Sequence, residues 1–167
     1  SEKLILPGVG AFDAARQKLE DTGLDIVIKK RVADGATLLG ICVGFQLLFD
    51  GSEEGKLPGL GLIEGRVRKF DDSDRNYPVP HMGWNFVDPT SHSQMFDELS
   101  SRQRFYFAHS YYVEGVDEKY IDARCSYSKD FVAAVSKGNV FGAQFHPEKS
   151  HKYGMEFLNW FMELESC

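Results

Sequence analysis

The sequence predicts one α/β domain, a mixed and largely parallel sheet flanked by helices. Three observations predict it. The first fifty residues alternate short apolar runs with helical-period segments, in the order strand, helix, strand, helix. That alternation is the pattern of parallel strands joined by helical crossovers. Further strand-like runs between Phe105 and Phe145, then an amphipathic stretch to Glu165, extend the sheet and cover it. Finally, 167 residues at 43% hydrophobic content are enough for one core and cramped for two.

Taken in order, Lys3–Pro7 (KLILP) reads as a buried strand stopped by Pro-Gly. From Phe12 to about Val32 the period is helical, through Phe12, Ala15, Leu19, Ile26, Val27 and Lys30, with Gly23 breaking or bending it. Ala36–Ile41 is a second buried strand, and Val43–Phe49 places Phe45, Leu48 and Phe49 on one helical face. Leu62–Phe70 (LIEGRVRKF) alternates like a half-exposed strand, and 71–80 is a polar turn region. Phe105–Ser110, Ile121–Ser126, Phe131–Ser136 and Val140–Phe145 read as strands, the last two joined by a tight turn at Lys137-Gly138-Asn139. Lys152–Glu165 closes the chain as a helix with Ser150 as N-cap and Met155, Leu158, Phe161, Met162 and Glu165 on or near one face.

Composition removes several function classes. A net charge of −6 argues against nucleic acid and against an anionic membrane surface. No apolar run approaches the ~20 residues of a membrane span. Cys42, Cys125 and Cys167 are widely spaced and contain no CxxC pair, which makes neither a disulfide framework nor a zinc site. No metal or cofactor is expected, and the expected compartment is the reduced cytoplasm. The opening SEKLILPGVG has neither the basic region nor the long apolar region of a signal peptide.

The chemistry centres on Gly40-Ile41-Cys42-Val43-Gly44. A cysteine between a buried strand and a helix, with glycine two residues either side, has the spacing of a nucleophile elbow. The glycines remove Cβ atoms that would collide at a sharp turn. The helix start favours thiolate, and the Val43 N–H is placed to stabilise an oxyanion. A buried structural cysteine fits the same spacing. A nucleophilic thiol needs a base, and His146 in GAQFHPEKS follows a strand at the sheet edge where open α/β sheets hold their sites. Glu148, two residues on, is placed to accept the other imidazole N–H. His81 and His109 lie in aromatic settings suited to structural histidines, and His92 and His151 carry no functional assignment. Leu6–Phe12 (LPGVGAF) is a turn able to aim backbone N–H groups at an anion.

With those pieces together, the sequence resembles the class I (triad) glutamine amidotransferases, whose fold is flavodoxin-like. The likeness is closest to the glutaminase subunits of imidazole glycerol phosphate synthase. ILPGVGAF, GICVGFQLLF, GLGLIEG, VPHMGWN, FYFAHSYY and AQFHPEKS carry the resemblance from Ile5 to Ser150. It implies Cys42 as nucleophile, His146 as base and acid, and Glu148 as its orienting carboxylate. It implies an oxyanion hole from Val43 with Gly8, Val9 and Gly10, the second segment needing a rearrangement. Gly8, Gly10, Gln46, Glu54, Ser110 and Tyr111 would bind L-glutamine. A (β/α)8 cyclase would form a heterodimer with the chain, with Met82, Gly83, Trp84 and Asn85 at the interface, and would take up the ammonia. The resemblance also implies one further strand and helix ahead of the PGVG segment. The 1–167 domain is therefore expected to be N-terminally incomplete. The glutaminase of another synthase, a catalytically silent subunit and a cysteine hydrolase of another amide remain as alternatives.

Overall fold

The computed structural model describes residues 2–96 and 102–165. Cys167 therefore lies outside the described residues. The opening apolar run forms β1 (Lys3–Leu6), followed by α1 (Phe12–Asp21) and α2 (Leu24–Ala33). Gly23, at φ +70, separates the two helices in a left-handed conformation that glycine adopts without steric cost. β2 (Thr37–Ile41) is buried along its whole length, and α3 (Val43–Gln46) follows it. Then come β3 (Gly51–Ser52), β4 (Arg66–Lys69), β5 (His81–Phe86), β6 (Asp88–Pro89), β7 (Arg104–His109) and β8 (Tyr111–Glu114). The chain continues through β9 (Ile121–Tyr127), β10 (Lys129–Lys137), β11 (Val140–Ala143) and α4 (His151–Glu163).

Among the described residues the strands form three sheets. The main sheet has the order β1-β2-β11-β10-β9-β6. Its β1-β2-β11 half is parallel, and β11-β10-β9-β6 is antiparallel. The parallel register sets Leu6 beside Gly40 and Ile41 beside Ala143, so the three carboxyl ends lie together. The segments that leave them carry Gly8, Cys42 and His146. That edge is where open α/β sheets place their sites. A second sheet, β3-β4-β8, and an antiparallel pair, β5-β7, stand beside it. The aromatic core ties β7 to the main sheet and to α4. Phe105 stacks on Phe145 at 3.9 Å between centroids, and Phe145 meets Phe157 edge-on at 5.2 Å. Burial of each such ring is worth about 1.5–3 kcal/mol. Among the described residues no helix is long and apolar enough to cross a membrane.

Several elements differ from the sequence reading, each for a local reason. The helix expected over Val43–Phe49 ends at Gln46. The carbonyls of Leu47, Leu48 and Phe49 instead accept N–H groups from Leu60, Leu62, Ile63 and Gly61. The same bonds take Leu62 and Ile63 out of the strand expected to begin there, which starts at Arg66. In α2 the inward residues are Asp25 and Ile28, while Ile26 and Val27 are exposed. The turn at Gly23 sets that face, and the buried Asp25 pairs with Arg16 at 3.2 Å. In α4 the inward face is Gly154, Phe157 and Phe161, with Met155 and Met162 exposed. A Cβ at Gly154 would lie 1.7 Å from the Pro147 carbonyl oxygen, so close backbone approach at that glycine fixes the helix rotation. Ser150 stands at the N-cap position, but its hydroxyl does not cap. It donates to the His146 carbonyl at 2.6 Å and accepts from the Tyr106 N–H at 3.0 Å.

Candidate active site

Cys42 has φ +55 and ψ −109, a conformation that L-residues seldom adopt. Such backbone costs on the order of 1–3 kcal/mol and persists only where the surroundings impose it. Here the flanking glycines allow them to. A Cβ on Gly40 would lie 2.6 Å from the Gly44 carbonyl oxygen, and one on Gly44 would lie 1.8 Å from that of Leu6. The Cys42 N–H donates to Ala143 at 2.9 Å, anchoring the elbow to β11. The thiol has Ala108 O at 4.0 Å and Gln144 Nε2 at 3.9 Å. Burial pushes its pKa up to about 11. The Val43 N–H works against that rise, the Glu148 carboxylate adds to it, and Lys149 opposes it weakly. The thiolate expected from a helix start is therefore not the resting form. A single helical turn supplies too little field to outweigh desolvation.

His146 is held to β7 through its own backbone. Its N–H donates to Tyr106 O at 2.9 Å, and Ser150 clamps the next turn to the same residue. Its Nδ1 lies 2.6 Å from Glu148 Oε1. The carboxylate accepts, so Nδ1 carries a proton, and the neutral ring then has its lone pair on Nε2. That tautomer is the one a proton acceptor needs.

A cleft of about 280 Å³ gathers Val9, Gly10, Cys42, Val43, Gln46, Glu54, Ser110, Tyr111 and His146. Gly8 does not line it but opens on a neighbouring apolar pocket beside α1, and its carbonyl accepts the Val43 N–H at 3.4 Å. Glu148 stands behind His146, its side chain half exposed. Glu54 accepts the Phe12 N–H at 3.2 Å, and Asp13 accepts those of Lys56 and Leu57, so α1 pins the loop that carries Glu54. The HMGWN segment divides by side. Met82 and Trp84 face outward at 65% and 43% exposure, and Gly83, at φ +123, lies between them. Asn85 turns inward to His81 and to the Ser126 carbonyl.

Gln144 is a site residue that the sequence reading missed. It is fully buried, accepts from Gln46 Nε2 at 3.1 Å and reaches the Cys42 sulfur. The signal for it was its place two residues before His146, just past the end of β11. Pro80, Ala108, His109 and Lys149 also line the cleft.

Comparison with known proteins agrees with this geometry. The profile of the family described as Glutamine amidotransferase class-I matches residues 2–164. The imidazole glycerol phosphate synthase subunit HisH 2 of Methanococcus maripaludis is 49% identical over 162 residues, covering 96% of this chain and 80% of that protein. The subunit HisH of Leptospira borgpetersenii is 44% identical over 170 residues, covering 98% and 81%. Among solved structures, a crystal structure of a glutamine amidotransferase superposes with a TM-score of 0.71 at 20% identity, over 96% of this chain and 79% of that one. The structure of PurLQS from Thermotoga maritima gives a TM-score of 0.68 at 22% identity, over 96% and 78%. Those two share the fold. The chain belongs to the class-I glutamine amidotransferases, among relatives named as subunits of imidazole glycerol phosphate synthase.

Proposed function

We propose that the chain hydrolyses L-glutamine to glutamate and ammonia, as the glutaminase subunit of an imidazole glycerol phosphate synthase in histidine biosynthesis. The observation that carries the reading is the convergence on one cleft of Cys42, Val43, Gly10 and His146, the last paired with Glu148. In this mechanism His146 Nε2 takes the thiol proton and the Cys42 sulfur attacks the side-chain amide carbon. His146 then gives the proton to the departing ammonia. Water cleaves the resulting glutamyl thioester to glutamate and free thiol. Glu148 holds the ring in its Nδ1–H tautomer and stabilises the imidazolium. The Val43 N–H and one N–H of Gly8-Val9-Gly10 bind the oxyanion once the Gly8 carbonyl turns away. Gln46, Glu54, Ser110 and Tyr111 hold the substrate, with the Glu54 carboxylate facing its ammonium group.

The ammonia passes to a (β/α)8 cyclase that docks on the Met82–Trp84 face, a heterodimer working in the cytoplasm. The test is glutamate formation from glutamine, with and without that cyclase carrying its ribotide ligand. Strong stimulation by the loaded cyclase is expected. Glutamate formation indifferent to the cyclase, or stimulated instead by a different synthase, would overturn the assignment.

A further inference from the structure

Running outward from the cleft wall, which His109 lines, two buried histidines stand opposite each other in the β5–β7 ladder, His81 paired with His109. They are 3% and 5% exposed. His109 Nδ1 lies 2.7 Å from Tyr111 O, His109 Nε2 lies 2.9 Å from His81 Nδ1, and His81 Nε2 lies 3.3 Å from Asn85 Nδ2. The direction of these bonds is forced. A carbonyl only accepts, so His109 Nδ1 carries the proton and its Nε2 is a lone pair. His81 Nδ1 must then donate, which leaves His81 Nε2 to accept from the Asn85 amide. The amide is fixed independently, because Nδ2 also donates to Ser126 O at 3.1 Å and Oδ1 accepts the Phe86 N–H at 2.8 Å.

We infer that His81 and His109, oriented by Asn85, are positioning residues that hold the Tyr111 side of the glutamine cleft to the exposed strand β5. The inference rests on the glutaminase reading above. From Tyr111 O the contacts run on to Gln46 Nε2 at 3.5 Å, from Gln46 to Gln144 at 3.1 Å, and from Gln144 to the Cys42 sulfur at 3.9 Å. Met82 and Trp84 project outward from the strand that sends His81 and Asn85 inward. Movement of the outer face of β5 is therefore passed to the substrate wall through fixed hydrogen bonds. The relay works only with both rings neutral, since an imidazolium would set N–H against N–H. Burial secures that state, lowering the pKa of His81 to about 4 and that of His109 to about 3. His81 is also sandwiched by aromatic rings, stacking on Tyr127 at 4.0 Å and on Phe107 at 4.8 Å.

The experiment has two arms. In the first, the 15N-histidine-labelled protein is read by long-range 1H–15N NMR. Both rings are expected as neutral Nδ1–H tautomers. An Nε2–H tautomer on either ring would overturn the relay. In the second, His109→Phe and His81→Phe, which fill the same aromatic surroundings, are compared with wild type in the cyclase-stimulated assay. The KM for glutamine is expected to rise about tenfold with a smaller change in kcat, as a displaced binding wall requires. Iodoacetamide alkylation of Cys42, read by peptide mass, is expected to accelerate as the wall loosens. Folded variants with wild-type KM and wild-type alkylation would overturn the positioning role. A wild-type protein that fails to hydrolyse glutamine would remove the glutaminase reading alone, because the tautomer and alkylation results still decide the relay.

Discussion

The Val43 N–H is donated to the Gly8 carbonyl oxygen across 3.4 Å, so the N–H next to Cys42 is already engaged. Stabilising an oxyanion requires that carbonyl to swing out of the way. Gly8 is packed tightly for such a movement. A Cβ there would lie 2.8 Å from Gly44 N and 2.9 Å from Val43 Cβ. Gly8→Ala should therefore lower the cyclase-stimulated kcat by about a hundredfold, the scale of losing one oxyanion donor. The KM for glutamine should change little. Steady-state kinetics on the folded variant check this, and a wild-type kcat would rule out the Gly8 segment as the moving part.

Cys42 carries a second consequence of the closed state. With its pKa pushed up to about 11, the thiol is protonated at neutral pH. Alkylation goes through the thiolate. In the isolated subunit the logarithm of the Cys42 alkylation rate should climb between about pH 7 and pH 10, close to tenfold per unit. A plateau below about pH 9 would contradict the burial argument. The sign for stability is opposite. A thiol whose pKa is raised on folding contributes fully below the unfolded value of 9.0, and that contribution is lost as pH rises towards about 11.

The half-exposed Glu148 carboxylate accepts from His146 Nδ1 at 2.6 Å, so in the proposed mechanism it acts through that ring. Cys42→Ala should abolish glutamine hydrolysis without unfolding the domain. His146→Ala should remove most activity. Glu148→Ala should lose less than His146→Ala, and Glu148→Gln less again, because the amide oxygen still accepts the Nδ1 proton and keeps the tautomer. The order of kcat values is the measurement. Equal losses in His146→Ala and Glu148→Ala would count against an orienting role.

The elbow between β2 and α3 was legible because its demands are local: an apolar strand, a cysteine and two glycines at fixed spacing. The parts that were not are set by backbone contacts between segments distant in sequence. Val43–Phe49 is buried throughout, so no polar face marks where α3 ends, and its carbonyls are taken by residues 60–63. Strand β5 was read only as an interface motif. Its inward residues, His81 and Asn85, are polar and satisfied by partners distant in sequence, while Met82, Trp84 and Phe86 face outward, so the usual apolar-inward alternation is inverted. The inward faces of α2 and α4 are set by Gly23 and Gly154, through a left-handed turn and a close backbone approach. Hydrophobicity carries no record of either. Gln144 escaped because a buried glutamine is informative only once the residues it bonds, Gln46 and Cys42, are known to meet.

The two kinds of glycine in the chain can be told apart by substitution. Gly44 faces the strand beneath it, where an added Cβ would lie 1.8 Å from the Leu6 carbonyl oxygen. Neither partner can yield, since Leu6 belongs to β1 and Gly44 to the turn that sets Cys42. Gly44→Ala should destabilise the domain by about 3 kcal/mol, the upper range for forced overpacking. Gly138, in the β10–β11 turn, has φ +58 and open space around its Cβ position. Gly138→Ala there meets only the left-handed backbone cost of about 1 kcal/mol. Urea unfolding of both variants makes the comparison. Equal losses would show that the elbow can shift away from β1, so that this contact does not demand glycine at position 44.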